Sequence, residues 1–298
     1  MTWKINRRVF LKSSAAAVAL AALPSCIKQG GKIRFGLLSD SHYADRDEAG
    51  IRFYRESAAK MEACVEVMNQ EKVDFMIHLG DFKDQDPEPD EQRTLQYLKD
   101  FEAIYAKFNG PRYHVLGNHD MDSLSKAQFQ SIVENTGIDR SETYYSFDKG
   151  DYHFVVLDAC FNPDGSPYDH DNFKWYDANV PQEQLDWLEK DLKGTEKPTL
   201  VFVHQMLEDI ENGMHHIKNF AAVRAILESS GKVTAVFQGH KHEERHKQIN
   251  DIHYYTIHGM VDYSGPENNS FALVTLDEEA ITIDGYFRVS DLLITSQS

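Results

Sequence analysis

Apolar residues along this chain fall into short runs that stop abruptly at polar, chemically loaded positions. "KIRFGLLSD" reads as a strand ending at Ser39 and Asp40, "VDFMIHLGD" as a second ending at Gly80 and Asp81, and "RYHVLGN" as a third ending at Gly117 and Asn118. Between them, Phe53, Ala59, Cys64, Val65 and Met68 keep helical spacing across residues 52–70, and a second helix is predicted from Glu91 to Phe108. "PTLVFVH" and "VTAVFQGH" add strands that end at His204 and His240. In "PQEQLDWLEKDLK" Pro181 stands in a helix-opening position and Leu185, Leu188 and Leu192 share one face, while another helix is predicted over residues 219–229. This alternation predicts α/β layering.

From Thr143 the pattern changes. "TYYSFDKGDYHFVVLDA" predicts a hairpin turning at Lys149 and Gly150, and a run of short strands closes the chain. The polar stretch from Phe161 to Val180 is long for a structureless connection and is expected to form a rim near a site. Five predicted strands end in Asp40, Asp81, Asn118, His204 and His240, each at a carboxyl edge, which is where open α/β sheets hold ligands.

At 298 residues and 41% hydrophobic, the chain can bury a full core, and one large domain over residues 33–298 is expected. The opening "NRRVFLKSSAAAVALAALPSC" carries an apolar run too brief to span a bilayer, so residues 1–25 read as an export signal, followed by a tether over 26–32. "RRVFLK" resembles the twin-arginine signal, which implies the Tat export machinery as a partner and export of an already folded protein from a bacterial cytoplasm. "LPSC" resembles a lipoprotein box with Cys26 as its lipidated residue, although Pro24 departs from that box. The two placements implied are a periplasmic protein with a plain cleaved signal and one membrane-anchored by lipid at Cys26. Removing residues 1–25 deletes Lys4, Arg7, Arg8 and Lys12 and no acid, which moves the net charge from −17 to −21. So acidic a surface repels nucleic acid, and an anionic substrate needs a local cationic site. Apart from Cys26 only Cys64 and Cys160 remain, and they imply no disulfide framework.

Candidate ligands come in five blocks: "DSH" at 40–42, "GD" at 80–81, "GNHD" at 117–120, "VH" at 203–204 and "GHKH" at 239–242. In an extended segment residues i and i+2 face one side, so Asp40 with His42, and His240 with His242, are each expected to converge. Mixed imidazole, carboxylate and amide donors suit Mn, Fe or Zn better than Ca or Mg. Seven donors exceed what one tetrahedral ion needs, so a carboxylate shared between two ions is expected. Taken singly, each block reads as a turn, a cap or a structural histidine. Other histidines read as structural: His78, His114, His153 and His253 within strand patterns, His170, His215, His216 and His246 in polar surroundings, and His258 near the site.

The order D-x-H, GD, GNHD, H, GHxH resembles the calcineurin-like metallophosphoesterase superfamily from Ile33 to His242. That resemblance implies a four-layer αββα sandwich, with two facing mixed β-sheets flanked by helices. It implies one metal held by Asp40, His42, Asp81 and His242, a second by Asp81, Asn118, His204 and His240, and Asp81 as the bridge. It also implies a dinuclear hydrolase of small phosphoesters. Two cations roughly 3.5–4 Å apart would clamp an in-line displacement at phosphorus, with a bridging hydroxide as nucleophile. His119 would serve the departing oxygen, and Asp120 would orient its imidazole.

Departures narrow the substrate. "GDFKDQD" has Gln85 where the family's Ser/Thr phosphatases carry an arginine, and Asp84 where purple acid phosphatases carry a tyrosine ligand. The C-terminal "IHYYTIHGMVDYSGPENNSFALVTL" is similar to bacterial relatives of manganese-dependent ADP-ribose/CDP-alcohol diphosphatases. This points to a phosphodiester or nucleotide diphosphate; Phe161, Tyr168, Trp175 and Tyr263 read either as base or sugar platforms or as packing for the loops. The alternatives are an exported phosphomonoesterase, or a metal-stabilised lipoprotein that binds an anionic ligand without turnover.

Overall fold

The computed structural model describes residues 31–208 and 213–295, so the export signal, Cys26 and the tether as far as residue 30 lie outside the described residues. Strand β1 (Ile33–Leu38), helix α1 (Glu56–Glu71), β2 (Phe75–His78), α2 (Glu91–Tyr105) and β3 (Arg112–His114) follow the predicted alternation. A short helix that the apolar period does not predict, α3 (Lys126–Ile132), comes next. Its start is local chemistry: Ser125 Oγ accepts the Gln128 N–H at 3.2 Å while the Gln128 side chain accepts the Ser125 N–H at 2.8 Å. The hairpin β4 (Tyr145–Lys149) and β5 (Tyr152–Val156) turns where expected. Then follow α4 (Gln182–Gly194), β6 (Thr199–Phe202), α5 (Phe220–Ser230), β7 (Val233–Gln238), β8 (Arg245–Ile249) and β9 (Ile252–Thr256). Strands β10 (Ser270–Leu276), β11 (Ala280–Phe287) and β12 (Leu292–Thr295) close the chain.

These strands form two mixed six-stranded sheets, ordered β12-β11-β10-β1-β2-β3 and β4-β5-β6-β7-β9-β8. In the first, β1, β2 and β3 run parallel and in the second β5, β6, β7 and β9 do, so their carboxyl ends gather at one edge of each sheet. Alternation decides which side chains meet. Phe35, Leu37, Phe75 and Ile77 point into a core shared with Phe154, Val156, Phe202 and Phe237 of the other sheet. Leu38 and Met76 point outward into a second core with Met61, Cys64, Val65 and Met68 of α1 and Leu98, Phe101 and Tyr105 of α2. On the far side Val155, Val201 and Val236 pack against Leu185, Leu188 and Leu192 of α4 and Val223 and Leu227 of α5. Helix, sheet, sheet and helix thus make four layers. Between the sheets Phe35 stacks on Phe75 at 4.9 Å and meets the ring edges of Phe202 and Phe237 at 5.7 and 5.9 Å. Each such aromatic pair contributes about 1 kcal/mol beyond the area it buries. Cys64 and Cys160 are free, buried thiols.

Candidate metal centre

The loops leaving β1, β2 and β3 carry Asp40, Asp81 and Asn118, and those leaving β6 and β7 carry His204 and His240, so both sheets aim side chains into one place. The backbone there departs from an extended path. Asp40, His42, Asp81, His240 and His242 all have positive φ, at 52°, 45°, 51°, 67° and 61°. Left-handed backbone at non-glycine residues costs on the order of 1–3 kcal/mol each and persists where surroundings enforce it. Asp40 N–H donates to Gly80 C=O at 3.0 Å and His42 N–H to Asp81 C=O at 2.9 Å. His42 and His242 therefore reach the site through left-handed turns, not through the i, i+2 alternation of an extended strand. Gly80 has φ 98°, and a Cβ there would meet His204 Nδ1 at 2.7 Å and Gly117 N at 2.8 Å.

Two groups of donors result. In one, Asp40, His42 and His242 converge, with His42 Nε2 3.1 Å from His242 Nε2 and His242 Nε2 3.3 Å from Asp40 Oδ1. In the other, Asp81, His204 and His240 converge, with His204 Nε2 3.1 Å from Asp81 Oδ2 and 3.2 Å from His240 Nδ1. Asp81 Oδ2 also lies 3.5 Å from His42 Nε2, so this carboxylate stands between the groups. Burial opposes charge on His204 and His242, yet Asp81 beside the first and Asp40 beside the second push both up to about 9. The two carboxylates thus favour positive charge on these rings, and a bound dication would take the place of those protons. Asn118 Oδ1 and His240 Nε2 are buried without a hydrogen-bond partner among the described residues. An orphaned buried acceptor costs about 1–3 kcal/mol, and a cation beside Asn118 Oδ1 removes that cost. The donor set, its negative charge and the orphaned amide oxygen fit a dimetal site of His and Asp residues.

Behind these donors stand carboxylates that the motifs did not single out. His42 Nδ1 lies 3.1 Å from Asp84, His242 Nδ1 lies 2.9 Å from Asp262, and His204 Nδ1 donates to Leu79 C=O at 2.8 Å. Such partners fix which ring nitrogen faces the metal. Asp84, at the position of the purple enzymes' tyrosine, faces the back of His42 and also lies 3.5 Å from His119 Nδ1.

His119 and Asp120 divide differently from expectation. His119 Nδ1 is paired with Asp122 at 2.8 Å, not with Asp120. Asp120 accepts the N–H groups of Phe82 and Gly117, both at 2.9 Å, so it ties the Asp81 loop to the Asn118 loop from beneath. Burial, then the Asp81 charge, push its carboxyl up to about 6. Lys83 Nζ adds a bond to His119 C=O. Burial disfavours an imidazolium at His119, but Asp122, Asp84 and Asp81 outweigh it and raise the group to about 10.

A cavity of about 480 Å³ opens beside the cluster, lined by Asn118, His119, Arg46, Arg52, Trp175 and Tyr176 among others. Its rim includes Phe173 to Tyr176, within the stretch expected to border a site. A larger cavity of about 800 Å³, lined by Asp151, His253 and Asp277, holds none of the clustered donors. His215, read as structural from its polar surroundings, stands beside the site: its ring lies 5.4 Å from that of His240 and 5.5 Å from that of Trp175. Of the expected platforms, Tyr168 is fully buried against Phe173 and Phe161 is covered by Lys126, whereas Trp175 and Tyr263 stay accessible. His258 Nδ1 bonds to His242 C=O at 3.0 Å and is structural.

Comparison with known proteins agrees with this geometry. A family model described as calcineurin-like phosphoesterase matches residues 33–244. A manganese-dependent ADP-ribose/CDP-alcohol diphosphatase of Oryza sativa subsp. japonica is 26% identical, across 86% of this chain and 92% of its own length. The crystal structure of a dimetal phosphatase from Danio rerio superposes with a TM-score of 0.76 at 22% identity, covering 88% of this chain and 98% of that one. A purple acid phosphatase from yellow lupin, Lupinus luteus, gives 0.64 at 16% identity, over 90% of this chain and 54% of that one. Sequence order, two facing sheets and paired His/Asp groups coincide, and the chain belongs to the calcineurin-like phosphoesterase family as a metal-dependent hydrolase of phosphoesters.

Proposed function

We propose that this hydrolase cleaves a phosphodiester or a diphosphate of the nucleotide type. The observation that carries this reading is the cavity beside the metal groups, where His119 shares the wall with Arg46, Arg52 and Trp175. Those two arginines put positive charge beside the metal groups, where a second phosphate has a use for it and a lone phosphoryl group does not. The relatives' diphosphatase activity, matched over most of both chains, supports the same reading.

Asp40, His42, Asp81 and His242 would hold one metal, and Asp81, Asn118, His204 and His240 the other. Bound metals supply positive charge to the phosphoryl oxygens and lower the pKa of water toward ~7. The protein's own residues do the rest. Asp84 and Asp262 aim His42 and His242, and Leu79 C=O aims His204. Asp122 holds Nδ1 of His119, which leaves Nε2 to donate to the departing oxygen. Asp120 fixes the two loops that carry the shared carboxylate and the amide. The protein acts after export, as the arginine pair Arg7–Arg8 implies, and a Cys26→Ser variant found soluble where the parent is in membranes would support the lipid anchor.

The test is Mn(II)-dependent hydrolysis of ADP-ribose, bis(p-nitrophenyl) phosphate and p-nitrophenyl phosphate, with Asp81→Asn as the blank. Faster cleavage of the first two than of the monoester is the expected result. A preference for the monoester would replace this reading with a phosphatase.

A further inference from the structure

We infer that Arg46, with Arg52 beside it, forms a subsite for the second phosphate of a diphosphate substrate. The inference rests on the diphosphate reading above and assigns the residues that recognise the phosphate not attacked. Of the carboxylates lining this cavity, Asp84, Asp86 and Asp122 already have partners, whereas Asp171 makes no ion pair among the described residues. Asp86 is held by Arg93 at 3.0 Å and by the Tyr97 hydroxyl, Asp122 by His119, and Asp84 by His42. The two guanidinium groups are less fully matched. Arg52 makes no ion pair among the described residues, and the nearest carboxylate to Arg46 is Asp84, 3.8 Å from Nη1.

Arg46 is nevertheless fixed. Its Nη1 donates to Gln85 C=O at 2.9 Å, its guanidinium lies 4.4 Å over the Tyr54 ring, and its side chain is only 19% exposed. Its Nε is buried with no acceptor among the described residues. A planar cation held in place and incompletely neutralised is what a phosphate with two free oxygens takes, because little side-chain freedom is lost on binding. Its position relative to the chemistry is set by Asp84, which touches Arg46, His42 and His119 together. A group leaving past His119 therefore enters the field of Arg46. In the reaction water oxygen bonds to the attacked phosphorus and gives up a proton to solvent, and the bridging P–O bond breaks. Its electron pair stays on the departing phosphate, and that oxygen takes a proton from His119. The departing phosphate gains charge as the bond breaks, so Arg46 stabilises it more than it stabilises the bound substrate. A p-nitrophenyl group brings no phosphate oxygens to the same arginine, only the single phenolate oxygen that leaves past His119.

A purely structural Arg46, tying the segment after β1 to the Gln85 loop, predicts equal damage to every substrate. The test compares wild type with Arg46→Ala and Arg46→Lys, and with Arg52→Ala, on ADP-ribose and on bis(p-nitrophenyl) phosphate. The expected result is a loss in kcat/KM at least tenfold larger on ADP-ribose than on the diester for Arg46→Ala, with partial recovery in the lysine variant. The second measurement needs no diphosphate turnover: α,β-methylene-ADP and AMP compete against diester hydrolysis. The diphosphate analogue is expected to inhibit wild type at least tenfold better than AMP, and Arg46→Ala is expected to close that gap. Equal losses on both substrates, or an inhibition gap that is absent in wild type or survives in Arg46→Ala, overturn the subsite. A wild-type enzyme that shows the gap but does not cleave ADP-ribose keeps the subsite and overturns the diphosphate substrate.

Discussion

His119 turns its Nδ1 to Asp122 at 2.8 Å, while Asp120, the next residue in the chain, points beneath the site and accepts the Gly117 N–H at 2.9 Å. The two acids of "HDMD", Asp120 and Asp122, thus have different roles: Asp122 sets a proton donor and Asp120 sets the backbone. His119→Ala is expected to lower kcat about 100-fold for alcohol or phosphate leaving groups and much less for p-nitrophenolate. A leaving-group series with the same loss throughout would remove His119 from the role of acid.

Asp120→Ala should act on the fold as well as on rate. It leaves the buried N–H groups of Phe82 and Gly117 without their acceptor. The expected cost is about 2–4 kcal/mol of unfolding free energy, measured by urea denaturation, with weaker Mn(II) retention because Asp81 and Asn118 lose their common brace. A stable variant with normal metal content would show that the brace is dispensable.

Metal removal should lower stability. The orphaned Asn118 oxygen and the crowded carboxylates Asp40 and Asp81 lose their counter-charge in the apo protein, so Mn(II) in thousandfold excess over its Kd should add about 4 kcal/mol. Asn118→Ala should shrink that gain, read as a smaller Mn(II)-induced rise in Tm.

Asp262→Ala is expected to weaken metal binding 10- to 100-fold, since it frees the Nδ1 side of His242. Calorimetric titration of apo protein with Mn(II) measures this directly. Unchanged affinity would mean that packing alone orients the ring.

Far from the site, His153 sits between Asp191 at 2.8 Å and Asp148 at 2.7 Å. Burial pushes its pKa down, but hydrogen bonds to the two carboxylates outweigh this and hold it above 6.5. A raised folded pKa contributes stability that is fully present below pH 6.5 and is lost as pH rises through the folded value. Asp148 is 52% exposed, which discounts the contribution to about 1 kcal/mol. His153→Gln should therefore destabilise the protein more at pH 6 than at pH 9 in paired denaturation curves, and a pH-independent difference would contradict the charged state.

Much of this architecture is legible in the chain because burial writes it there. Strands β1, β2, β6 and β7 are apolar runs covered on both faces, and each stops where the backbone turns into the site. The Leu185, Leu188 and Leu192 stripe gives α4 for the same reason. Helix α3 is too short for a period to emerge, and its signal is the Ser125–Gln128 cap. The donors Asp40, His42, Asp81, His204, His240 and His242 cluster in two groups, all but His204 on left-handed backbone that no spacing rule encodes. Asp122 and Asp262 escape notice, and Asp84 stands out only as a departure from a tyrosine ligand, because an acid behind a histidine looks like any other acid until the chain has folded. His215 escapes because it is brought beside His240 by a loop, not by a regular element.

The donors divide between the layers: Asp40, Asp81 and Asn118 ride on one sheet, His204 and His240 on the other. The aromatic contacts of Phe35 with Phe202 and Phe237 are therefore also the gauge block that sets the span of the catalytic jaws. A conservative trim in that remote interior, such as Phe202→Leu, lets one sheet slip against its neighbour. The enzyme would report the slip as altered turnover as well as a lower melting temperature, since Phe202 is fully buried and loses its ring contacts.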